Sequence, residues 1–530
     1  MAAIVSSSFR VLNANNFKED VTDSSVYVAI GKSDVWSNST SVTVDGTPAT
    51  PADNLEDLGE MRKNLIAMKK VTGSDLSNVV PRYTWTSGNS YYAWDSAEAD
   101  IFDKAFYIVT SEFKVYKCII AGGGASSVQP TQTLTVPTAE SDGYTWKYMY
   151  TIGVSDATKF LTNSYMPVKT ISLGSEAVVA ATTSSSTTVT LTASNLDILV
   201  GMTVSGSNIS GTPTVSARNG NVLTLSTAQT LTAADRLTFA FANDTDAENS
   251  LTESDFAQYL NQKASKASGT AGGIERIEIV SGGTFASGSS APNVTITGDG
   301  TGATATATMN GAGTAVDSIT VTAKGSGYTV ADVVISAGDA TARAVVAPKF
   351  GHGVDPVSEL GGFFTSLNVL LDGADGNGDI TVGNDFRQIS LIKEPRDYNA
   401  NALTGPISTA DTRKATNYLD FDSGVTVTDY SVDELLVGQT SGAQAYVVEI
   451  DSSSGYIHYH QNAKTGYAAF TDGEDIRGQT SDTTGALESS NAVGNPQVDR
   501  ASGEVLFLEN RDPISRTTTQ IEDIKVILEF

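Results

Sequence analysis

At 530 residues the chain is longer than one ordinary hydrophobic core can organise, and its length points to three or four domains. Forty-eight glycines and only 18% charged residues, on a background rich in Ser and Thr, describe many short strands joined by Gly-rich turns. A formal charge of −27, with no cluster of Lys and Arg, argues against a nucleic-acid or anionic-membrane face, since phosphate contacts need concentrated positive charge.

The beginning of the sequence, Met1-Ala2-Ala3-Ile4-Val5-Ser6, lacks the basic and apolar regions of a signal peptide, so folding in a reducing cytoplasm is expected. Residues 1–172 hold all four tryptophans, Trp36, Trp85, Trp94 and Trp146, and with them the means to build a core. Tyr27-Val28-Ala29-Ile30 reads as a buried strand broken at Gly31. Residues 51–72 read as a helix, with Pro51 at its first turn, Leu55, Leu58, Leu65 and Met68 at helical spacing, Lys69 and Lys70 in the last turn and Gly73 as the stop. The lone Cys118 lies in Tyr116-Lys117-Cys118-Ile119-Ile120, a strand pattern in which a packed thiol is expected.

The composition changes near residue 173. No charge occurs from Ala177 to Leu196, and alternation at Val189/Leu191, Leu223/Leu225 and Leu237/Phe239/Phe241 predicts an inserted antiparallel β domain over 173–246. A helical connector is expected over 247–273, with Thr252 and Asp255 as a capping pair. Residues 274–348 contain two copies of a three-strand pattern. Ile274–Ile279, Val294–Ile296 and Ala303–Ala307 form the first, and Val316–Val321, Val333–Ile335 and Ala340–Ala344 the second, each with a Gly/aromatic turn. The core style resumes over 349–420, where Phe386–Ile392 reads as a strand. A further inserted β domain over 421–495 repeats Gly438-Gln439-Thr440-Ser441 as Gly478-Gln479-Thr480-Ser481. Residues 496–530 close the core: Glu509–Pro513 reads as a turn, and Ile524, Val526, Leu528 and Phe530 share one face of a strand buried within a sheet. The expected fold is thus mainly β and multi-domain, an aromatic-rich β core with a few helices interrupted by Gly/Ser/Thr-rich, sandwich-like insertions.

No residue set assembles a reaction. His458 and His460 share a strand face but lack a third metal ligand, so an exposed polar face is expected. The run from Asp372 to Asp379 resembles a calcium loop, yet Ile380 stands where that loop needs Gly and Phe386 where it needs Glu. The clusters Gly298–Gly302 and Gly122–Gly124 lack the Lys-Ser/Thr of a phosphate loop and read as turns. No catalytic, cofactor-binding or metal-binding residue is expected, and no cofactor.

Several aromatic-rich segments carry a resemblance. They are Ala3–Arg10, Ala29–Trp36, Val79–Trp85, Asp142–Tyr148, Phe386–Ser390, Ser502–Glu504, Glu509–Ile514 and Glu522–Phe530, in fixed order. The chain resembles the baseplate wedge subunit of T-even-type contractile-tailed phages, the product numbered eight. The resemblance covers about 1–170, 349–420 and 496–530 and has no counterpart for the inserted blocks. It implies a non-enzymatic virion protein that forms a homodimer and contacts other baseplate wedge proteins, while the charge balance adds the expectation of no nucleic-acid or membrane partner. A carbohydrate-binding tail fibre or receptor-binding protein is the alternative; it predicts exposed Trp/Tyr clusters beside paired carboxylates. A bacterial surface adhesin would need a signal peptide.

Overall fold

The computed structural model describes residues 4–36, 46–268, 272–372, 385–399, 404–461, 465–515 and 520–530. It is mainly β, built of antiparallel sheets with six α-helices among the described residues. Two compact units are distinguished: residues 1–19, 77–366 and 527–530 form the first, and residues 20–76 and 367–526 the second.

The first unit holds three packed β assemblies. Tyr107–Val109, Lys114–Ile120, Thr145–Thr151 and Thr138–Ala139 form one sheet, in that order. Its two faces bury separate aromatic clusters: Phe106, Tyr107, Tyr150 and Phe363 on one side, Tyr91, Tyr116, Tyr144 and Trp146 on the other. Two three-stranded sheets over 175–240 enclose an aliphatic core that includes Val189, Leu191, Leu223, Leu225, Leu237 and Phe239. This is the alternation expected for residues 173–246. The helix Glu253–Ser268 follows, with Thr252 Oγ1 accepting from Asp255 N at 3.2 Å. Four of its polar residues, Gln258, Asn261, Gln262 and Ser265, are buried. Asn261 donates to Met149 O at 2.7 Å, and Gln262 bonds both main-chain groups of Ile171.

The repeat of residues 274–348 is a pseudo-dyad whose strands exchange partners. The first strand of one copy pairs with the third of the other, and the two second strands pair together. The register obeys the symmetry: Ile277 faces Ala344 as Ile319 faces Ala307, and Ile274 faces Val346 as Val316 faces Met309. Thr295 faces its own equivalent, Val334. Each aromatic turn covers the glycine turn of the other copy, Phe285 over Gly338 and Tyr328 over Gly300. Gly283, at φ +69°, abuts the Gly338 carbonyl so closely that no Cβ fits.

The second unit carries a five-stranded sheet ordered Thr412–Lys414, Leu65–Lys70, Val26–Gly31, Asp385–Lys393 and Glu504–Ser515. Val26–Gly31 is buried at every position, as its sequence predicts. The helix expected over 51–72 is shorter. It runs Leu55–Lys63 from an Asn54 cap and stops at Asn64; Leu65–Lys70 is a strand, with Met68 opposite Ala29. Leu65 and Met68 fit a helical stripe and a buried strand equally, and pairing with Val26–Gly31 decides between them. Leu55, counted in that stripe, is 91% exposed. Glu509–Pro513 is likewise no turn but part of the strand Glu504–Ser515. The ladder slips between Asn510 and Ile514, leaving Pro513 in an irregular stretch of an edge strand, where its missing N–H costs no ladder bond.

A seven-stranded sheet spans residues 417–494 of the same unit and contains a second pseudo-dyad. Val437 faces its equivalent Arg477. The carboxylate of Glu474 accepts from Thr440 N, Ser441 N and Ser441 Oγ at 2.7–2.9 Å, while that of Glu434 accepts from Thr480 N, Ser481 N and Ser481 Oγ at 3.0–3.1 Å. A Cβ at Gly438 or Gly478 would run into these carboxylates, which explains the repeated Gly-Gln-Thr-Ser. Burial pushes Glu474 up, but the bonds from Ser441 and Thr471 outweigh it and hold the carboxyl below its usual range. Glu474→Ala and Glu434→Ala are each expected to cost about 1–3 kcal/mol in urea unfolding of the whole chain, because a carboxylate that is itself buried and accepts several partly buried N–H and O–H donors is removed. A cost confined to one of the two would show that the dyad is not energetically shared.

Candidate functional site

The densest chemistry of the first unit lies where two lysines interrupt apolar strands. Lys117 and Lys147 are opposite residues of the pairing strands Lys114–Ile120 and Thr145–Thr151, an arrangement that like charges disfavour. Both are almost fully buried. Lys117 Nζ lies 2.9 Å from Glu359 Oε2 and 4.5 Å from the centre of the Trp94 ring. Lys147 Nζ donates to Thr135 O at 2.6 Å and Ser265 Oγ at 3.0 Å. Glu359 is held from its other oxygen by the N–H groups of Gly353, Val354 and Asp355. Its short helix, Pro356–Leu360, starts at an Asp355 cap with Pro at the first turn and ends at Gly361 in the left-handed region.

His352 completes the cluster. One ring nitrogen lies 3.7 Å from Glu275 and the other 3.7 Å from Glu359, beyond hydrogen-bond reach, and the ring meets Trp94 edge-on. Burial and the Lys117 charge push its pKa down. Burial also lowers Lys147 to about 8. Burial would raise Glu359, but Lys117 and His352 outweigh it and hold the carboxyl at about 2. Beside the cluster is a cavity of about 240 Å³, with Lys147, Ser265, Glu275, Lys324 and His352 among its lining. Lys117 and Glu359 satisfy each other while both His352 nitrogens lack a hydrogen-bond partner among the described residues, and the geometry is that of an internal electrostatic lock. His352 belongs to no sequence motif and lies where the core style resumes near residue 349. The available signal was a lone lysine inside each of two apolar runs, Val115–Ile119 and Trp146–Met149.

Asp95 joins this region to the repeat block. Its carboxylate pairs with Arg343 through both oxygens and lies 3.5 Å from Arg276, which also donates to the main chain of Trp94 and Ile119.

In the second unit His458 and His460 are buried, at 7% and 3% exposure, which corrects the expected exposed polar face. Their strand, Tyr456–His460, runs between Asn417–Asp420 and Gln444–Asp451, so its ladder is paired on both edges. His458 Nδ1 meets Thr416 Oγ1 at 3.2 Å, and His460 Nδ1 meets Ser33 Oγ at 3.1 Å. Burial lowers His460 to about 4. It lines a cavity of about 190 Å³ with Asp34, Asp385, Arg387 and Asp433, where burial and Asp385 raise Asp433 to about 6. Among the described residues no group of three His, Cys, Asp or Glu side chains is placed to hold a metal ion.

Cys118 is buried in its strand, and burial pushes the thiol up to about 12, far from a reactive thiolate. Gly298–Gly302 forms a turn under Tyr328, and Gly122 packs against Tyr144. Most of the Asp372–Phe386 segment read against a calcium loop, residues 373–384, lies outside the described residues.

Residues 3–121 match the family model described as Bacteriophage T4, Gp8. No curated protein matches the chain. The matched stretch contains the helix Ser7–Asp23, the central strand Val26–Gly31, Trp94, Asp95 and Lys117. It includes the segments Ala3–Arg10, Ala29–Trp36 and Val79–Trp85, and those from Asp142 onward lie beyond it.

Proposed function

We propose that this chain, a baseplate wedge subunit of the gene-product-eight type by its residues 3–121, works as a homodimer that joins neighbouring wedge proteins during tail assembly. In this reading it is a non-catalytic part of the framework whose rearrangement triggers sheath contraction, folded in the host cytoplasm before incorporation into the virion. The family match is the observation that carries it. Blocks 173–246, 274–348 and 421–495 are proposed as insertions into a core of 1–172, 349–420 and 496–530, with 247–273 between the first two. Block 274–348 closes on itself as a pseudo-dyad, which supports its assignment, and the dyad of 421–495 lies in a sheet that also takes in Asn417–Asp420. A charge of −27 favours protein neighbours over DNA. Among the described residues no helix is long and apolar enough to cross a membrane.

Light scattering on the purified chain at micromolar concentration is expected to give twice the 55.3 kDa chain mass. A species of 55.3 kDa alone would overturn the dimer. Imaging of particles labelled with an antibody to the chain is expected to place the label at the baseplate, and a label on the fibres would favour a receptor-binding protein instead.

A further inference from the structure

Arg62 and Arg500 meet at one cavity in a chain with 60 acidic residues against 33 basic ones. Among the described residues neither guanidinium forms an ion pair. Arg62 spends its donors on main-chain carbonyls, reaching Arg500 O at 3.0 Å, Ser502 O at 2.5 Å and Gly503 O at 2.7 Å. Among the described residues Arg500 makes one side-chain hydrogen bond, from Nη2 to Asn417 Oδ1 at 2.9 Å, and its Nε and Nη1 meet no acceptor. Both lie partly buried beside a cavity of about 420 Å³ in the second unit. Burial lowers the pKa of each, opposed by the charge of Asp499 at Arg62 and by Tyr459, Asp499 and Tyr467 at Arg500.

The rest of the lining fits a particular kind of guest. Tyr459 lines the cavity at 5% exposure, its ring held by Phe470, and its hydroxyl makes no hydrogen bond to any described residue. Lys63 stands beside Tyr467, whose ring is 54% exposed. A guanidinium with an open edge, next to a phenol donor, is a built acceptor for a planar carboxylate, which can take two parallel N–H bonds from one arginine. Two tyrosine rings and the stem of Arg62 add apolar wall for more than an isolated ion. A desolvated arginine without a counter-charge costs stability, and a guest carboxylate would supply the missing partner.

We propose that this cavity is a docking pocket for a glutamate or aspartate side chain of an acidic peptide segment on a partner protein, with Arg500 as the principal contact, Tyr459 as second donor and Tyr467 as an exposed apolar wall. The commitment to peptide rests on the cavity's volume and tyrosine walls, which exceed what a free anion fills. The inference stands apart from the homodimer reading, because it is measured on the isolated chain.

The test is calorimetric titration of the full chain with a pool of acetylated, amidated pentapeptides carrying a central Glu, and with the matching Gln pool. The Glu pool is expected to bind about tenfold or more tightly than the Gln pool. Arg500→Met is expected to abolish the difference without lowering the melting temperature, because it removes an uncompensated charge; a residue of purely structural role would lower it. Arg500→Lys, which keeps charge but loses the fork, is expected to weaken binding by a similar factor. Absence of binding by the Glu pool, equal binding of both pools, or unchanged binding in Arg500→Met overturns the proposal. Binding of inorganic phosphate or glucuronate with the peptides silent overturns the peptide assignment.

Discussion

Glu359→Gln is expected to destabilise the chain by about 3–5 kcal/mol, because it leaves a fully buried lysine charge without its counter-ion. Lys117 has 0% exposure, and among the described residues its only carboxylate at ion-pair distance is Glu359, 2.9 Å away. The neighbouring Lys147 repels it across the strand pair, and the ring of Trp94 offers only a weak substitute. Lys117→Met should cost less. It strips one partner from Glu359, but the N–H groups of Gly353, Val354 and Asp355 remain, and His352, 3.7 Å away, can take up a proton in compensation. The double variant Lys117→Met with Glu359→Gln should therefore be more stable than Glu359→Gln alone. Urea midpoints at unchanged slope measure all three. If Glu359→Gln costs no more than Lys117→Met, the three N–H groups are not what holds the carboxylate.

The same cluster sets the response to acid. Glu359 is depressed in the folded chain to about 2, so its contribution is present above its ordinary pKa near 4.5 and is lost as pH falls towards 2. His352 is also depressed, so the folded chain resists a proton that the unfolded chain accepts below about 6.5, and stability falls with pH there too. The two losses add. A stability profile is expected to decline from about pH 6.5 and to steepen below about 4.5, with the steeper part reduced in Glu359→Gln and the remainder carried by other depressed carboxylates such as Glu474.

Much of the β architecture was legible because strands declare themselves locally. Alternation placed the core of 173–246, and both sets of three strands in 274–348 occur where the repeated triplets stand. The pairing between copies was not legible, since a repeat gives the unit but not whether its strands pair within a copy or across copies. The structure shows the exchange. The helix Ser7–Asp23 escaped notice for a different reason. Val11, Ala14 and Val21 are its buried residues, too sparse a stripe among Ser, Asn and Lys to stand out. The histidines were misplaced because period-two alternation cannot distinguish a solvated face from a covered one; what covers His458 and His460 comes from residues such as Ser33 and Thr416, distant in sequence. The lysine–glutamate lock suffered similarly. Lys117 and Lys147 were visible as charges inside apolar runs, while Glu359 is 242 positions from Lys117 and only the fold brings them together.

Deleting residues 522–530 is expected to abolish cooperative folding, although the strand Ile521–Glu529 lies at the edge of its four-stranded sheet and not within it as its sequence suggested. Only two of the four residues expected on its buried face, Ile524 and Val526, are fully buried; Leu528 and Phe530 are partly exposed. Two such side chains are worth about 1.5–3 kcal/mol each. What raises the cost is how the last residues are gripped. Arg10, on the helix Ser7–Asp23, lies 3.5 Å above the Phe363 ring and donates to Phe530 O and Glu529 Oε1, both at 2.5 Å. Phe530 N returns a bond to Phe363 O at 3.1 Å, and its ring packs 5.4 Å from that of Phe17. Truncation therefore unclasps the helix as well as exposing an apolar face, and the combined loss approaches the roughly 5–15 kcal/mol that holds a typical domain together. Arg10→Ala alone, which removes the clasp but spares the strand, should lower stability by about 1–3 kcal/mol and leave the chain folded. Limited proteolysis and thermal melting distinguish the two. A truncated chain that melts within a few degrees of the full-length protein would show that neither the clasp nor the edge strand supports the core.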